Sequence, residues 1–374
     1  MHKNYTSLGL MSGTSGDGVD TSIIKSNGID QFDIIKDKYY EYDSRIFEEI
    51  HSIKEKILKK SDLEKYHKDL LDLERKITIF HAKIVKDLKL SNANILIGFH
   101  GQTVYHNSNE KISKQLGDGK LLSQLTQKKI IYNFRKNDLI HGGEGAPLAP
   151  IYHQLVATQK NISMPVCFLN IGGIANITIV KKGIGSYDLL SKDIGPGNCL
   201  IDNWVRKNSN EKFDANGNLA SIGNINEIIL EQAQELYLNR INKQKKSFDT
   251  NDFDISFARG LSLEDGAKTL TDFTASIIGE ELSLSLSRNE SNKLNEILVC
   301  GGGRKNLYLI NKIRENLSSD LKLKSIDEYK INGDFIESQA FAFLAIRSFL
   351  NLPISFPSTT GCKKPCSGGE IVEN

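Results

Sequence analysis

Glycine-bearing turns that lead from one apolar strand into another, and not into a helix, constrain this chain more than any other feature. The first is GLMSGTSGDGVDTSII, Gly9 to Ile24. Ser7 to Met11 is short and apolar, three glycines follow, and extended sequence resumes at Val19, Ser22, Ile23 and Ile24. Walker loops and dinucleotide fingerprints run from a strand through glycines directly into a helix, so both are excluded here. The pattern returns in PVCFLNIGGIANITIVKK, Pro165 to Lys182, where an alternating strand (Ile174, Ile177, Ile179, Val180) again follows a glycine turn. Two such hairpins, each opening one half of the chain, predict an internal duplication that builds two lobes.

Between and after the hairpins, strands alternate with helices, which argues for an α/β protein. Asp43 to Leu88 carries helical spacing through Ile46, Ile50, Ile53 and Ile57, then Leu70, Leu73, Ile77, Phe80 and Ile84. Ala93 to Phe99 reads as a buried strand ending in HGQT, and Lys129 to Asn133 as another. In the second half a strand Tyr187 to Leu190 precedes the turn DIGPGN and a helix from about Asn198. Asn224 to Leu238 and Leu263 to Leu286 read as helices. Glu296 to Cys300 is a buried strand delivering GGG into the helix Asn306 to Leu317, and a last helix spans Phe335 to Leu350.

Charge narrows the function. A net +2 from 48 basic and 46 acidic side chains gives no general attraction to nucleic acid or to anionic membranes. No segment approaches the roughly 18 apolar residues of a membrane span, and MHKNYTSLGLMSG lacks the apolar core of a secretion signal. Five scattered cysteines fit a reduced, cytoplasmic protein. Cys362 and Cys366 form a lone C-x3-C pair without a second pair or a nearby His, a spacing that argues against zinc.

Several constellations can carry chemistry. In GTSGDGVD, Gly13 to Asp20, the glycines permit close backbone approach, so consecutive amides can form a concave anion site to which Thr14 and Ser15 add hydroxyls. Asp17 and Asp20 would repel a bare phosphate, and make sense if Mg²⁺ sits between carboxylate and phosphate. The plainer alternative is a long hairpin loop. Gly172 and Gly173 of IGGIAN, with Asn176, form the matching element of the second lobe. Asp193 in DIGPGN is a candidate general base; alternatively it bonds turn amides. His100, Gln102 and Thr103 suit the hydroxyl and amide groups of a sugar, or are structural. Gly301, Gly302 and Gly303 permit approach of a flat nucleobase or pack strand to helix, and Asn306 either caps that helix or bonds the ligand.

Taken in order, MSGTSGDGVD, HGQT, GGEGAPL, NIGGIAN, DIGPGN, VCGGG and ESQAFAFLA resemble the anhydro-N-acetylmuramic acid kinase family, from about Leu8 to Gly361. The resemblance implies two ribonuclease H-like lobes of the actin, hexokinase and Hsp70-like ATPase superfamily facing one ATP cleft. The implied lobes are residues 1–135, rejoined by 350–374, and residues 136–349. It further implies cleavage of a 1,6-anhydro bond with water and phosphorylation of the freed O6, a step of peptidoglycan recycling. By that resemblance Gly13, Thr14, Ser15, Gly16, Asp17, Gly18, Val19 and Asp20 hold the ATP phosphates, with Asp17 or Asp20 near Mg²⁺. Gly172, Gly173 and Asn176 join them, and Gly301 to Gly303 with Asn306 lie near adenosine. Asp193 matches the catalytic base, and Glu337 helps place the water or the sugar. His100, Gln102, Thr103, Asn170 and Gly195 fall near the sugar, and a homodimer is the expected assembly.

Three departures stand out: Glu144 where the family usually has Gln, the reduced segment KKSFD (Lys245 to Asp249), and the tail TTGCKKPCSGGE. The rival readings are another kinase of the same superfamily acting on a hexose or a carboxylate, and a non-catalytic ATP-driven switch. The duplication leaves no length for the added module such a switch usually carries.

Overall fold

Apolar runs of strand length, separated by amphipathic segments, build two sheets in two compact units. In the computed structural model residues 3–90, 94–181, 188–240, 247–287, 294 and 296–373 are described. Ala93, Lys182, Tyr187, Lys245 and Lys246 of the segments read above lie outside that set. Unit 1 comprises Met1–Ile162, Ile184–Leu190 and Asp334–Asn374; unit 2 comprises Ser163–Gly183 and Ser191–Gly333.

The chain enters through β1 (Tyr5–Ser12), β2 (Gly18–Ser26) and β3 (Phe32–Glu41), then α1 (Ser44–Lys56), α2 (Lys60–Lys65) and α3 (His67–Asp87). There follow β4 (Leu96–Asn107), β5 (Ile112–Leu116), α4 (Gly119–Thr126), β6 (Lys129–Tyr132), α5 (Lys136–Ile140) and α6 (Pro150–Gln159). Unit 2 holds β7 (Val166–Ile171), β8 (Ile174–Val180), β9 (Leu189–Pro196), α7 (Cys199–Asn208), α8 (Asn218–Ile222), α9 (Glu227–Arg240) and α10 (Leu263–Ser287). It ends with β10 (Glu296–Cys300), α11 (Leu307–Glu315) and β11 (Lys322–Ser325), after which α12 (Ile336–Phe349) and β12 (Glu370–Val372) return to unit 1.

The duplication inferred from the two hairpins is visible as topology. The first sheet runs β12-β6-β4-β1-β2-β3 with β5 on β4, and the second runs β11-β10-β7-β8-β9. In each, an antiparallel hairpin (β1 with β2, β7 with β8) is extended on its other side by parallel strands, β4 and β6 in one case, β10 and β11 in the other. Both units are therefore mixed α/β sheets of the same order.

Two strand boundaries differ from the sequence reading. HGQT does not end its strand: β4 continues to Asn107, because Gly101, at φ +75°, absorbs a register shift against β1 and lets the strand go on to pair with β5. DIGPGN is likewise not a turn from Asp193 onward, since β9 runs through Pro196. A proline is tolerated at a strand terminus, where its missing N–H breaks no ladder.

Helices α1 and α3 bury Ile46, Ile50, Ile53, Leu70, Leu73 and Ile77 in the core of unit 1, as their spacing predicts, and Asp43 caps α1 by accepting the Ile46 N–H. Helix α12 packs on β1 and β4 by a different device. Gly9 and Gly98 are register partners in the parallel pair, and both face α12. A Cβ on Gly9 would stand 1.9 Å from the Ser338 carbonyl oxygen, and one on Gly98 would stand 2.4 Å from that of Phe341. Backbone meets backbone there, and only glycine leaves the room.

A buried polar chain locks the same helix. Tyr152 donates to Gln339 Oε1 (3.0 Å), Gln339 Nε2 donates to Asp37 (3.0 Å), and Ser22 joins Asp37 to Ser338. Burial raises the Asp37 carboxyl above its ordinary value, against these donors. Gly9→Ala should therefore cost about 1–3 kcal/mol or more, since α12 must move. Gly302→Ala, where an added Cβ meets nothing within 4 Å, should stay within about 0.5 kcal/mol; urea denaturation of the two variants measures the contrast.

Candidate active site

Within unit 1 the β1–β2 turn is held from beneath. Ser12 Oγ donates to Gln102 Oε1 (2.6 Å) and lies 2.9 Å from the Tyr42 hydroxyl, while Gln102 Nε2 donates to the Gly13 carbonyl (3.0 Å). The Gly16 N–H closes the turn on the Gly13 carbonyl, and Gly16 takes φ +65°. The N–H groups of Thr14, Ser15 and Asp17 donate to no protein acceptor among the described residues. Backbone donors grouped in one turn make a place for an anion. Lys54, in the last turn of α1, donates to the Thr14 carbonyl (2.8 Å) and adds a cation to the same loop. Ser15 Oγ donates to Asp17 Oδ1 (2.6 Å). Val19 is core, and Asp20 follows half-buried on β2.

Gln102 is thus fully buried support for the turn. His100 is internal as well. Its Nδ1–H faces the Gly101 carbonyl (2.7 Å), and its Nε2 accepts from the Arg135 guanidinium (3.0 Å). Burial and the adjacent Arg135 charge push the imidazole down to about 3, so it is neutral and serves as an acceptor. Arg135 also donates to the Gly145 carbonyl (3.1 Å). Glu337, in the first turn of α12, is half-buried; desolvation raises its carboxyl above the ordinary value, and Arg135 pulls it back down. Thr103 is half-buried and accepts from Gln115 (3.3 Å).

Unit 2 carries the other candidates. The Gly172–Gly173 turn docks on the start of α7: the N–H groups of Gly197, Asn198 and Cys199 donate to the Gly172 and Gly173 carbonyls at 2.8–3.1 Å. The Gly172 N–H is used on Ile174, whereas that of Gly173 meets no acceptor among the described residues. Asn198 is the N-cap residue of α7, yet its side chain makes no capping bond. Asp193 on β9 is buried, and its Oδ2 accepts the Phe248 N–H (2.8 Å), which fixes the carboxylate plane. Gly195, at φ +152°, lies against Ile277 of α10. Asn170 packs beneath Gly301, where a Cβ would come within 2.5 Å of its Oδ1. Asn306 caps α11 through Leu309 N–H (3.0 Å). Asn176 is half-buried, Gly302 stands open, and Gly303 packs on Ile171.

Known proteins resemble this chain along nearly its whole length. The model of the family described as anhydro-N-acetylmuramic acid kinase matches residues 5–374. The chain belongs to the anhydro-N-acetylmuramic acid kinase family. A protein of that name from Pelagibacter ubique (strain HTCC1062) is 54% identical over 377 residues, covering 100% of both chains. Those from Zymomonas mobilis subsp. mobilis and Agrobacterium fabrum are 36% and 34% identical, each covering 97% or more of both. A solved structure, the activator of the 2-hydroxyisocaproyl-CoA dehydratase from Clostridium difficile with bound ADPNP, covers 91% of this chain and 94% of that one. Its TM-score of 0.40 at 11% identity is too distant to add to what the two sheets show.

Family motifs and structure together bring out residues that the sequence reading passed over. Lys54 and Arg135 are single cations in charged segments, and no spacing marks them. Ser12 and Tyr42 act only through Gln102 and the turn. The acidic pair Asp17 and Asp20 beside the β1–β2 turn also has a definite character. Asp17, Glu41 and Asp20 all bear on Tyr39, whose phenol is raised chiefly by burial and then by these charges. They do not form a three-ligand cluster. Such a pair suits Mg²⁺, which keeps its waters and takes one or two carboxylates plus phosphate oxygens. A cavity of about 310 Å³ in unit 2, lined by Lys268, Asp272, Tyr308 and Lys312, holds none of the expected site residues.

His100 makes this centre sensitive to acid. The unfolded imidazole takes a proton near 6.5, the folded one only near 3. The unfolded state thus binds more protons throughout that window, and stability falls as pH drops through it. Urea midpoints measured from pH 7 towards 4 should decline. His100→Phe, which keeps the ring against Phe341, should flatten part of the slope; His81 and His153, also pushed down by burial, add to it in the same direction.

Proposed function

We propose that this chain uses ATP and water to open 1,6-anhydro-N-acetylmuramic acid and phosphorylate the released O6. The products are N-acetylmuramic acid 6-phosphate and ADP, and the role is peptidoglycan recycling. The observation that carries this reading is the family match over residues 5–374, which includes every loop just described.

Asp193 is assigned as the general base. Its carboxylate is oriented by the Phe248 N–H, and in this reading it takes a proton from the water that attacks C1. As the new C1–O bond forms, the C1–O6 bond breaks and its electron pair goes to O6. O6 attacks the γ-phosphorus in line, and ADP leaves with the electrons of the bridging P–O bond. The proton ends on Asp193 and passes to solvent. A positioned base of this kind contributes roughly 10²- to 10⁴-fold.

The phosphates are assigned to the open amides of Thr14, Ser15 and Asp17 together with Gly173 and Asn176. Positioning and charge neutralisation carry most of phosphoryl transfer. Asp17 and Asp20 would hold Mg²⁺, which supplies neutralisation of the developing phosphate charge. Glu337 and Arg135 are assigned to orient the sugar or the water, Arg135 being held by neutral His100. Asn170, Thr103 and Gly195 are assigned nearby support, and Gly301 to Gly303 the adenosine. A cytoplasmic homodimer completes the proposal.

Asp193→Asn should lower turnover by about 10²-fold or more while ATP binding, followed by calorimetry, is retained; normal turnover would refute the assigned base. In ¹⁸O water the product should carry the heavy oxygen at C1 and none in its new phosphoester linkage. Mass spectrometry of the intact sugar and its fragments reads this, and an unlabelled C1 would exclude the hydrolytic route.

A further inference from the structure

The cysteines of the tail TTGCKKPCSGGE, which the family match also covers, form a cluster with α5. Cys362, Cys366 and Asp138 each offer one ligand atom within 4.8 Å of the others, and all three are buried. Asp138 sits on α5, remote in sequence from both cysteines, so the C-x3-C spacing by itself could not reveal it. Asp138 is 1% exposed. Its carboxylate accepts from the Thr360 hydroxyl (2.6 Å) and the Gly145 N–H (2.7 Å), and no cationic side chain pairs with it among the described residues. A buried carboxylate with only neutral donors is costly, and a cation in contact would offset that cost.

The positions are set in advance. Cys366 exchanges backbone hydrogen bonds with the Ile354–Ser355 segment, the Lys363 N–H donates to the His141 carbonyl, and the Glu144 N–H donates to the Thr360 carbonyl. The Ser355 hydroxyl lies 3.0 Å from Cys366 Sγ and puts a neutral oxygen beside the cluster. Ligands already fixed by their own backbone need little ordering when an ion enters.

We propose that Cys362, Cys366 and Asp138 form a binding site for a thiophilic divalent cation, Zn²⁺ by preference. Two thiolates and a carboxylate select a borderline-soft ion of tetrahedral habit over Mg²⁺ or Ca²⁺. On binding, two thiol protons leave to solvent as one dication enters. The charge of the site is unchanged, and the carboxylate gains a cation in contact. The ion ties the tail to α5 and to Gly145, whose N–H holds Asp138 and whose carbonyl accepts from Arg135. Its role is to pin the loop that supports Arg135, with no part in bond making.

The test uses the full chain, reduced and stripped with chelator, titrated anaerobically with Co²⁺. A thiolate-to-cobalt absorption band with tetrahedral d–d transitions, saturating at a single site and displaced by Zn²⁺, is expected. Cys362→Ser and Cys366→Ser should abolish the band, and Asp138→Asn should weaken Co²⁺ binding by about tenfold or more. Should those variants not fold, alkylation of the native chain gives the same answer. In long incubations that sample local opening of the tail, Zn²⁺ should slow alkylation of the buried Cys362 and Cys366 below its metal-free rate while leaving the partly exposed Cys199 as reactive as before. No cobalt band together with labelling indifferent to Zn²⁺ overturns the proposal. A metal-free protein two hydrogens lighter, with the two sulfurs joined, overturns it as well.

Discussion

Direct contact between the backbone of α12 and the paired glycines of β1 and β4 underlies the architecture of unit 1. Gly9 and Gly98 lie side by side in the sheet, and the carbonyls of Ser338 and Phe341 rest where their side chains would otherwise be. This approach sets the height of α12 over the sheet, and therefore where its first turn presents Glu337. It also brings Ser338 and Gln339 onto Ser22 and Asp37, so a buried polar chain resists sliding of the helix. Such fully partnered networks specify one arrangement more than they add stability.

The two sheets share one strand order, but they prepare their glycine turns differently. In unit 1 the turn is braced by side chains, Ser12 and Gln102, and its amides at Thr14, Ser15 and Asp17 stay open. In unit 2 the turn is braced by backbone, with three amides at the start of α7 spent on the Gly172 and Gly173 carbonyls. An anion site in the second hairpin therefore relies on fewer donors than the motif suggests. Duplication conserved the topology while the chemistry of the two loops diverged.

Support for the Gly13 turn and for Arg135 comes from the interior. His100 and Gln102 are polar residues in the interior, and both work through a neighbour: His100 through Arg135, Gln102 through the Gly13 turn. A neutral imidazole suits that task, since a protonated one would repel the guanidinium it must accept from. HGQT was legible as a polar group at a strand, yet the direction in which each side chain points was not. Alternation along a strand assigns faces, whereas the bulge at Gly101 shifts them locally.

Much of this chain is local in its logic and was open to reading from its order of residues. The glycine hairpins, the helical stripes of α1 and α3 and the α/β alternation all follow from periodicities and turn chemistry a few residues long. The residues of the kinase motifs are readable too, because motif spacing is itself a sequence property. Folding alone decided that β9 carries on through Asp193, that Arg135 meets His100, and that its charge is felt by Glu337. It likewise decided that Asp138 joins Cys362 and Cys366. Those groups come from distant segments, and their meeting depends on how helices settle on sheets. That settling is governed by the summed packing of the core, which no short stretch of sequence records.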